Sequence, residues 1–114
     1  MIYTLMYKVY LISTVEEKPR FKIGYTRRKV EQRIKEFKTG NSSELEIIDV
    51  FESKWGTKIE ANLHLRFKSK QIEGEWFFLT DDDILTFKKQ CKDIHNMFEL
   101  LNTQNTWFID RGGF

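Results

Sequence analysis

The chain has 114 residues, 40% apolar and 32% charged with mixed signs, and a formal net charge of +2; this fits a single domain, residues 1–114, that closes its own core, and argues against disorder. A lone cysteine, Cys91, excludes an internal disulfide and a cysteine-rich zinc site. There is no basic leader followed by an apolar stretch and no run of 18 apolar residues, so a soluble cytoplasmic protein with no membrane span is expected.

Residues 5–13, LMYKVYLIS, read as a strand, and the polar VEEKP that follows carries the only proline. Residues 20–25 read as its hairpin partner. Val30, Ile34 and Phe37 then recur at helical spacing up to a stop at Gly40 and Asn41. LEIIDVFES, residues 45–53, is a further strand, and Gly56 separates it from a helix marked by Ile59, Leu63 and Phe67. The aromatic run EWFFL leads to Thr80, which with Asp83 is placed as a cap pair for a long last helix carrying Ile84, Phe87, Cys91, Ile94, Phe98 and Leu101. The order implies an α/β (α+β) fold: an antiparallel sheet of about three strands flanked by helices, with a long C-terminal helix.

Charge is concentrated in one place. Residues 20–43 hold eight basic side chains against Glu31 and Glu36, a local +6, so the other 90 residues sum to −4. Such a segment suits a nucleic-acid backbone, with Arg27, Arg28, Lys29, Lys35 and Lys38 as candidate contacts; a solvated helix face paired to the two glutamates explains the same residues. Lys22 near a strand end and Arg33 beside the apolar stripe can face one concavity, where a guanidinium suits a phosphate.

Lys8-Val9-Tyr10 on a strand, Lys22-Ile23-Gly24 on its partner and Arg33 eleven residues later resemble the signature elements of the GIY-YIG nuclease superfamily. Glu60-Ala61-Asn62-Leu63-His64 and Gly74-Glu75-Trp76-Phe77 resemble its phage- and virus-rich branch, in which the second motif reads Lys-Ile-Gly. The likeness spans about residues 7–79, the segment from 80 onward lying outside it. It implies a DNA endonuclease using one divalent ion, Mg²⁺ or Mn²⁺, with Tyr10, Lys22, Arg33, His64 and Glu75 in the catalytic site and Glu60 on the metal. By the resemblance, Tyr10 orients or deprotonates water, Arg33 answers phosphate charge and Glu60 holds the ion.

The residues themselves also admit plainer roles. Tyr10 fits a core aromatic, and Lys22 can supply a base, a phosphate contact or only charge. Thr57 and Glu60 have the spacing of a capping box, which would occupy the Glu60 carboxylate without any metal. His64, one turn beyond Glu60, can be a proton carrier, a phosphate donor or a support for a metal ligand. Glu75 is a sheet-edge carboxylate or a site residue that orients Lys22, Arg33 or His64. Asp81, Asp82 and Asp83 read as helix-start charges, and Cys91 and His95 as core or flank residues. Lys88, Lys89 and Lys92 are candidate DNA-backbone contacts on the last helix. Trp107, Phe108 and Phe114 are expected on the core or in a homodimer contact. DNA is the expected partner, its selection falling to a homodimer or a separate specificity partner; an inactive DNA-binding module and a protein-interaction domain are the competing functions.

Overall fold

The protein is described from a computed structural model, which covers residues 5–38 and 44–110, the side chains of 38 and 104–110 excepted. Strand β1 (Tyr7–Thr14) and β2 (Phe21–Thr26) form an antiparallel hairpin, followed by α1 (Val30–Lys38), β3 (Leu45–Ser53) and α2 (Gly56–Arg66). A short 3-10 turn (Lys68–Lys70) leads into β4 (Gln71–Glu73) and β5 (Trp76–Phe77), and α3 (Asp81–Leu85) precedes α4 (Phe87–Asp110). The antiparallel sheet runs β3-β1-β2-β5-β4, with helices on both faces. Among the described residues, no helix is long and apolar enough to cross a membrane.

Burial on both faces explains why β1 is almost continuously apolar. Successive side chains alternate, so Val9 and Leu11 point one way and Tyr10 and Ile12 the other. On the first face Val9, Leu11, Phe21, Ile23 and Phe77 pack under Ile59, Leu63 and Phe67 of the α2 segment and Phe87, Cys91 and Ile94 of α4. On the second, Tyr10 and Ile12 meet Val30, Ile34 and Phe37 of α1, with Leu45, Ile47, Val50 and Trp76 beside them. A bulge in β3 permits this: Ile12 pairs with Ile47 but Leu11 with Asp49, so Ile48 is the extra residue and Ile47 and Val50 share the α1 face. Each large side chain so buried contributes about 1.5–3 kcal/mol.

The expectation of about three strands gives way to five. The additional pair, β4 and β5, is a three-residue strand against a two-residue one, too short for alternation to register in sequence. Gly74 closes their turn at φ +55°, a left-handed conformation in which a side chain would be strained. The long last helix is interrupted at Thr86, whose amide and hydroxyl both donate to the Asp82 carbonyl (3.0 and 2.7 Å). Helical spacing persists across that break, which is why the apolar pattern does not disclose it.

Two capping expectations part company. Thr80 and Asp83 form the full reciprocal box at α3, and Asp83 also accepts from Lys70 Nζ at 2.6 Å, tying the 3-10 turn to α3. Thr57 and Glu60 form none. There the helix starts at Gly56, with Trp55 at the cap position making no side-chain cap bond, so Thr57 already lies inside the first turn. The Trp55 amide instead donates to Ser53 Oγ at 2.9 Å, and the Glu60 carboxylate, in the second turn, takes no part in capping.

Burial would raise the Asp83 carboxyl, yet the Lys70 ammonium and the Thr80 amide outweigh it and hold it below the usual carboxylate range. Its contribution to stability is therefore present above the unfolded carboxylate pKa and is lost as pH falls through the lower folded value. Thr80→Ala is expected to lower the unfolding free energy by about 1 kcal/mol, read from the urea midpoint, and Asp83→Asn to flatten the acid limb of the stability profile.

Candidate functional site

The site forms where β5 parts from β2. The two strands pair at Phe21 with Phe77 and at Lys22 with Trp76, and the Ile23 amide still donates to the Glu75 carbonyl at 3.1 Å. Gly74 then turns the chain away, so the next ladder acceptor, the Ile23 carbonyl, has no strand amide to meet. His64 Nε2 takes its place at 2.9 Å. A carbonyl only accepts, so Nε2 carries the proton. The imidazole edge also rests on Phe77, ring centroids 4.9 Å apart. A side chain from the α2 layer thereby enters the plane of the sheet.

Beside this gap stands Gly24, opposite Tyr10 in the hairpin register. A Cβ at Gly24 would lie 2.6 Å from Tyr10 Cζ and 2.7 Å from Glu75 Oε1, and closer still to the phenol oxygen. Only glycine allows the phenol and the carboxylate to occupy that space together. The phenol is buried, and it receives a hydrogen bond from the Arg33 guanidinium. Burial above all, with Glu75 adding, pushes its pKa up to about 12 against the smaller opposing pull of Arg33. Tyr10 is therefore a neutral hydrogen-bonding phenol at neutral pH, not a base in its own right.

Glu60 and His64 project from one turn of α2, 3.8 Å apart. Glu60 is largely buried; desolvation raises its carboxyl pKa, His64 opposes, and Glu75 raises it further. One donor atom each from Glu60, His64 and Glu75 fall within 4.8 Å of one another. Two carboxylates and an imidazole in such a group match the donors that divalent ions take, and a largely buried glutamate raised chiefly by desolvation gains from a cation. Oxygen from Glu60 and Glu75 is the fitting part of that set, since His64 Nε2 is committed to Ile23.

Lys22 and Arg33 close the other side. The Lys22 ammonium stands 4.2 Å from the Phe37 ring centroid and 5.3 Å from that of Trp76, with Glu75 Oε2 at 3.9 Å. Burial lowers its pKa, Glu75 opposes that shift and Arg33 reinforces it. Arg33 lies over Phe37 at 4.7 Å and donates to Glu36 Oε2 at 2.5 Å. The fold thus gathers Tyr10, Lys22, Arg33, Glu60, His64 and Glu75 around Gly24 from both faces of the sheet.

The basic residues divide. Arg27, Lys29 and Lys35 are exposed, while Arg28 is held by Glu36 at 2.5 Å; the Lys38 side chain lies outside the described residues. Lys88 pairs with Asp49 (3.2 Å) and Lys89 with Asp93 (3.0 Å), both on α4 in the layer opposite α1. Cys91 is core, its thiol pushed up to about 12 by burial and by Asp49. His95 Nδ1 meets Ser53 Oγ at 2.7 Å, joining α4 to the end of β3. Asp81 and Asp82 share the first turn of α3 with the capping Asp83. The side chains of Trp107 and Phe108, and all of Phe114, lie outside the described residues.

Sequence reasoning passed over Gly24 as a close-approach glycine and Trp76 and Arg20 as neighbours of Lys22; Glu36, read there as a local partner of the basic residues, pairs with Arg28 and Arg33. Arg20, Lys22 and Gly24 do alternate along one strand, so a shared face was open to inference; Trp76 reads as strand in the sequence, but its pairing with Lys22 is set by a register that no local pattern gives. Spectroscopic titration should show one phenol ionising only near pH 12, absent in Tyr10→Phe and shifted higher still in Arg33→Ala. The same raised pKa means stability falls as pH rises from about 10 toward that value.

No curated protein and no solved structure matches the chain. A family model, described as the T5orf172 domain, matches residues 7–99. The matched region takes in the sheet, α1 to α3 and the first half of α4, twenty residues beyond the end of the motif likeness at 79. Because it covers most of the sequence, the chain belongs to the T5orf172 domain family.

Proposed function

We propose that this protein is a metal-dependent DNA endonuclease of GIY-YIG type. The observation that carries the reading is that Glu60, with no cap to occupy it, comes together with Tyr10, Arg33 and Glu75 around a glycine that admits no side chain. Membership of the T5orf172 family is compatible with a nuclease-like, DNA-binding module.

In this reading the Arg33 guanidinium faces the phosphate oxygens, where charge builds as the bond breaks. Five N–H groups let it keep Tyr10 and Glu36 and still donate to substrate. The phenol of Tyr10, buried and kept protonated by its high pKa, accepts from the Arg33 guanidinium and so positions it, and does not itself take a proton from the attacking water. Lys22 offers charge to a neighbouring phosphate, and His64 maintains the gap in the sheet into which Glu60 and Glu75 project. Glu60, with Glu75 beside it, would hold one Mg²⁺ or Mn²⁺, which supplies Lewis acidity and lowers the pKa of nearby water. The protein would work in the cytoplasm, as a homodimer or with a partner that selects the DNA.

A second reading, a DNA-binding module that does not cut, draws on the lysine in place of the second-motif tyrosine and on a phenol whose pKa lies about 12. Plasmid nicking separates the two. With Mg²⁺ or Mn²⁺ the protein is expected to convert supercoiled DNA to nicked circles, and Arg33→Ala and Glu60→Ala each to slow this by about 100-fold or more while DNA binding persists in Glu60→Ala. Binding with no metal-dependent nicking by the unaltered protein would favour the second reading and discard the first.

A further inference from the structure

We propose that Arg20, Trp76, Lys22, Phe37 and Arg33 form a track for the sugar-phosphate backbone of one DNA strand, leading to the notch at Tyr10 and Glu60. This rests on the DNA-binding part of the reading above and specifies where the strand lies.

The five side chains alternate cation and ring. Arg20 stands 5.5 Å from the Trp76 centroid, Lys22 5.3 Å from Trp76 and 4.2 Å from Phe37, and Arg33 4.7 Å from Phe37. Phe37 in turn lies 6.1 Å from Tyr10, so the row ends at the phenol. Its continuity comes from two periodicities meeting on one face. Arg20 and Lys22 are two residues apart on extended chain, Trp76 sits across from Lys22 in the ladder, and Arg33 and Phe37 are one turn apart on α1. Two residues of strand span about 6.7 Å, close to the separation of adjacent phosphates along a DNA strand.

The rings hold the cations in position. An ammonium or guanidinium over a ring face is attracted by the ring quadrupole, and a ring so occupied is not open to a base. Carboxylates near the row leave its charge in reach of a phosphate. Glu16 lies 3.4 Å from Arg20 as an exposed pair four residues apart in the loop between β1 and β2, and Glu75 lies 3.9 Å from Lys22, beyond hydrogen-bond length. Glu36 takes one edge of Arg33 and divides itself with Arg28, leaving guanidinium donors to spare. A backbone track of this kind recognises phosphate spacing without reading bases.

Fluorescence anisotropy in EDTA tests this apart from cleavage, with an oligothymidine of about ten nucleotides and an abasic deoxyribose-phosphate oligomer of equal length as probes. The two are expected to bind comparably. Arg20→Ala should reduce the slope of log affinity against log salt by about 0.7, and Trp76→Leu should weaken binding about tenfold through loss of the ring that holds two cations. Lys54→Ala, paired with Glu99 beyond the end of β3 at the other edge of the sheet, should change neither. Arg20→Ala is a surface change, so it reports even if Trp76→Leu fails to fold. An unchanged salt slope in Arg20→Ala, or an abasic oligomer bound about tenfold more weakly than oligothymidine, overturns the track. Binding as expected without any metal-dependent nicking leaves the track standing and removes the nuclease.

Discussion

The site depends on a close approach across one strand. Tyr10 lies over Gly24 so tightly that no Cβ could intervene, and Glu75 presses on the same place from the neighbouring turn. The backbone there requires no left-handed conformation; what glycine contributes is vacant space. A phenol and a carboxylate that would otherwise be kept apart by a side chain are held together, with the consequence that burial and the adjacent negative charge both oppose ionisation of the phenol. The hydrogen bond from Arg33 then orients a group that remains protonated.

The second constraint is an incomplete ladder. Had β5 continued alongside β2, the Ile23 carbonyl would have met a strand amide, and α2 would have been screened from the α1 face by the sheet. Its termination at Gly74 leaves a buried acceptor, which must be satisfied because an unpaired buried carbonyl is costly. His64 does so, and in reaching the sheet it brings Glu60 alongside Glu75. Groups from opposite layers share one notch because the sheet is interrupted there and nowhere else in the β2 and β5 pairing.

Charge follows the same geometry. The acidic members cluster at the gap, the cations stand on aromatic rings beside it, and Glu36 clamps Arg28 and Arg33 from the helix side. Burial raises the pKa of Glu60, with His64 opposing, and lowers that of Lys22, with Glu75 opposing, so Glu75 is the group the two have in common.

The sequence alone determined the hairpin, the helix after Thr26, the strand at 45–53 and the Thr80 cap, because each depends on neighbours within a few residues and on alternation or helical spacing that burial enforces. It also marked Tyr10, Lys22, Arg33, Glu60, His64 and Glu75 as the residues to watch. The aromatic strand after Glu75 was legible too, where β5 lies, but the sequence did not disclose β4, which is too short to carry a period, nor the break at Thr86, which leaves the apolar stripe in phase. Thr57 and Glu60 show the limit most clearly: their spacing satisfies a local rule, but the helix begins earlier because Ser53 and Trp55 arrange the chain before Thr57 is reached. Tertiary structure decided that Glu60 is available, that Gly24 makes room for a phenol, and that Trp76 reaches Lys22. Those outcomes turn on which atoms meet across strands far apart in sequence, and no local pattern encodes a distance of that kind.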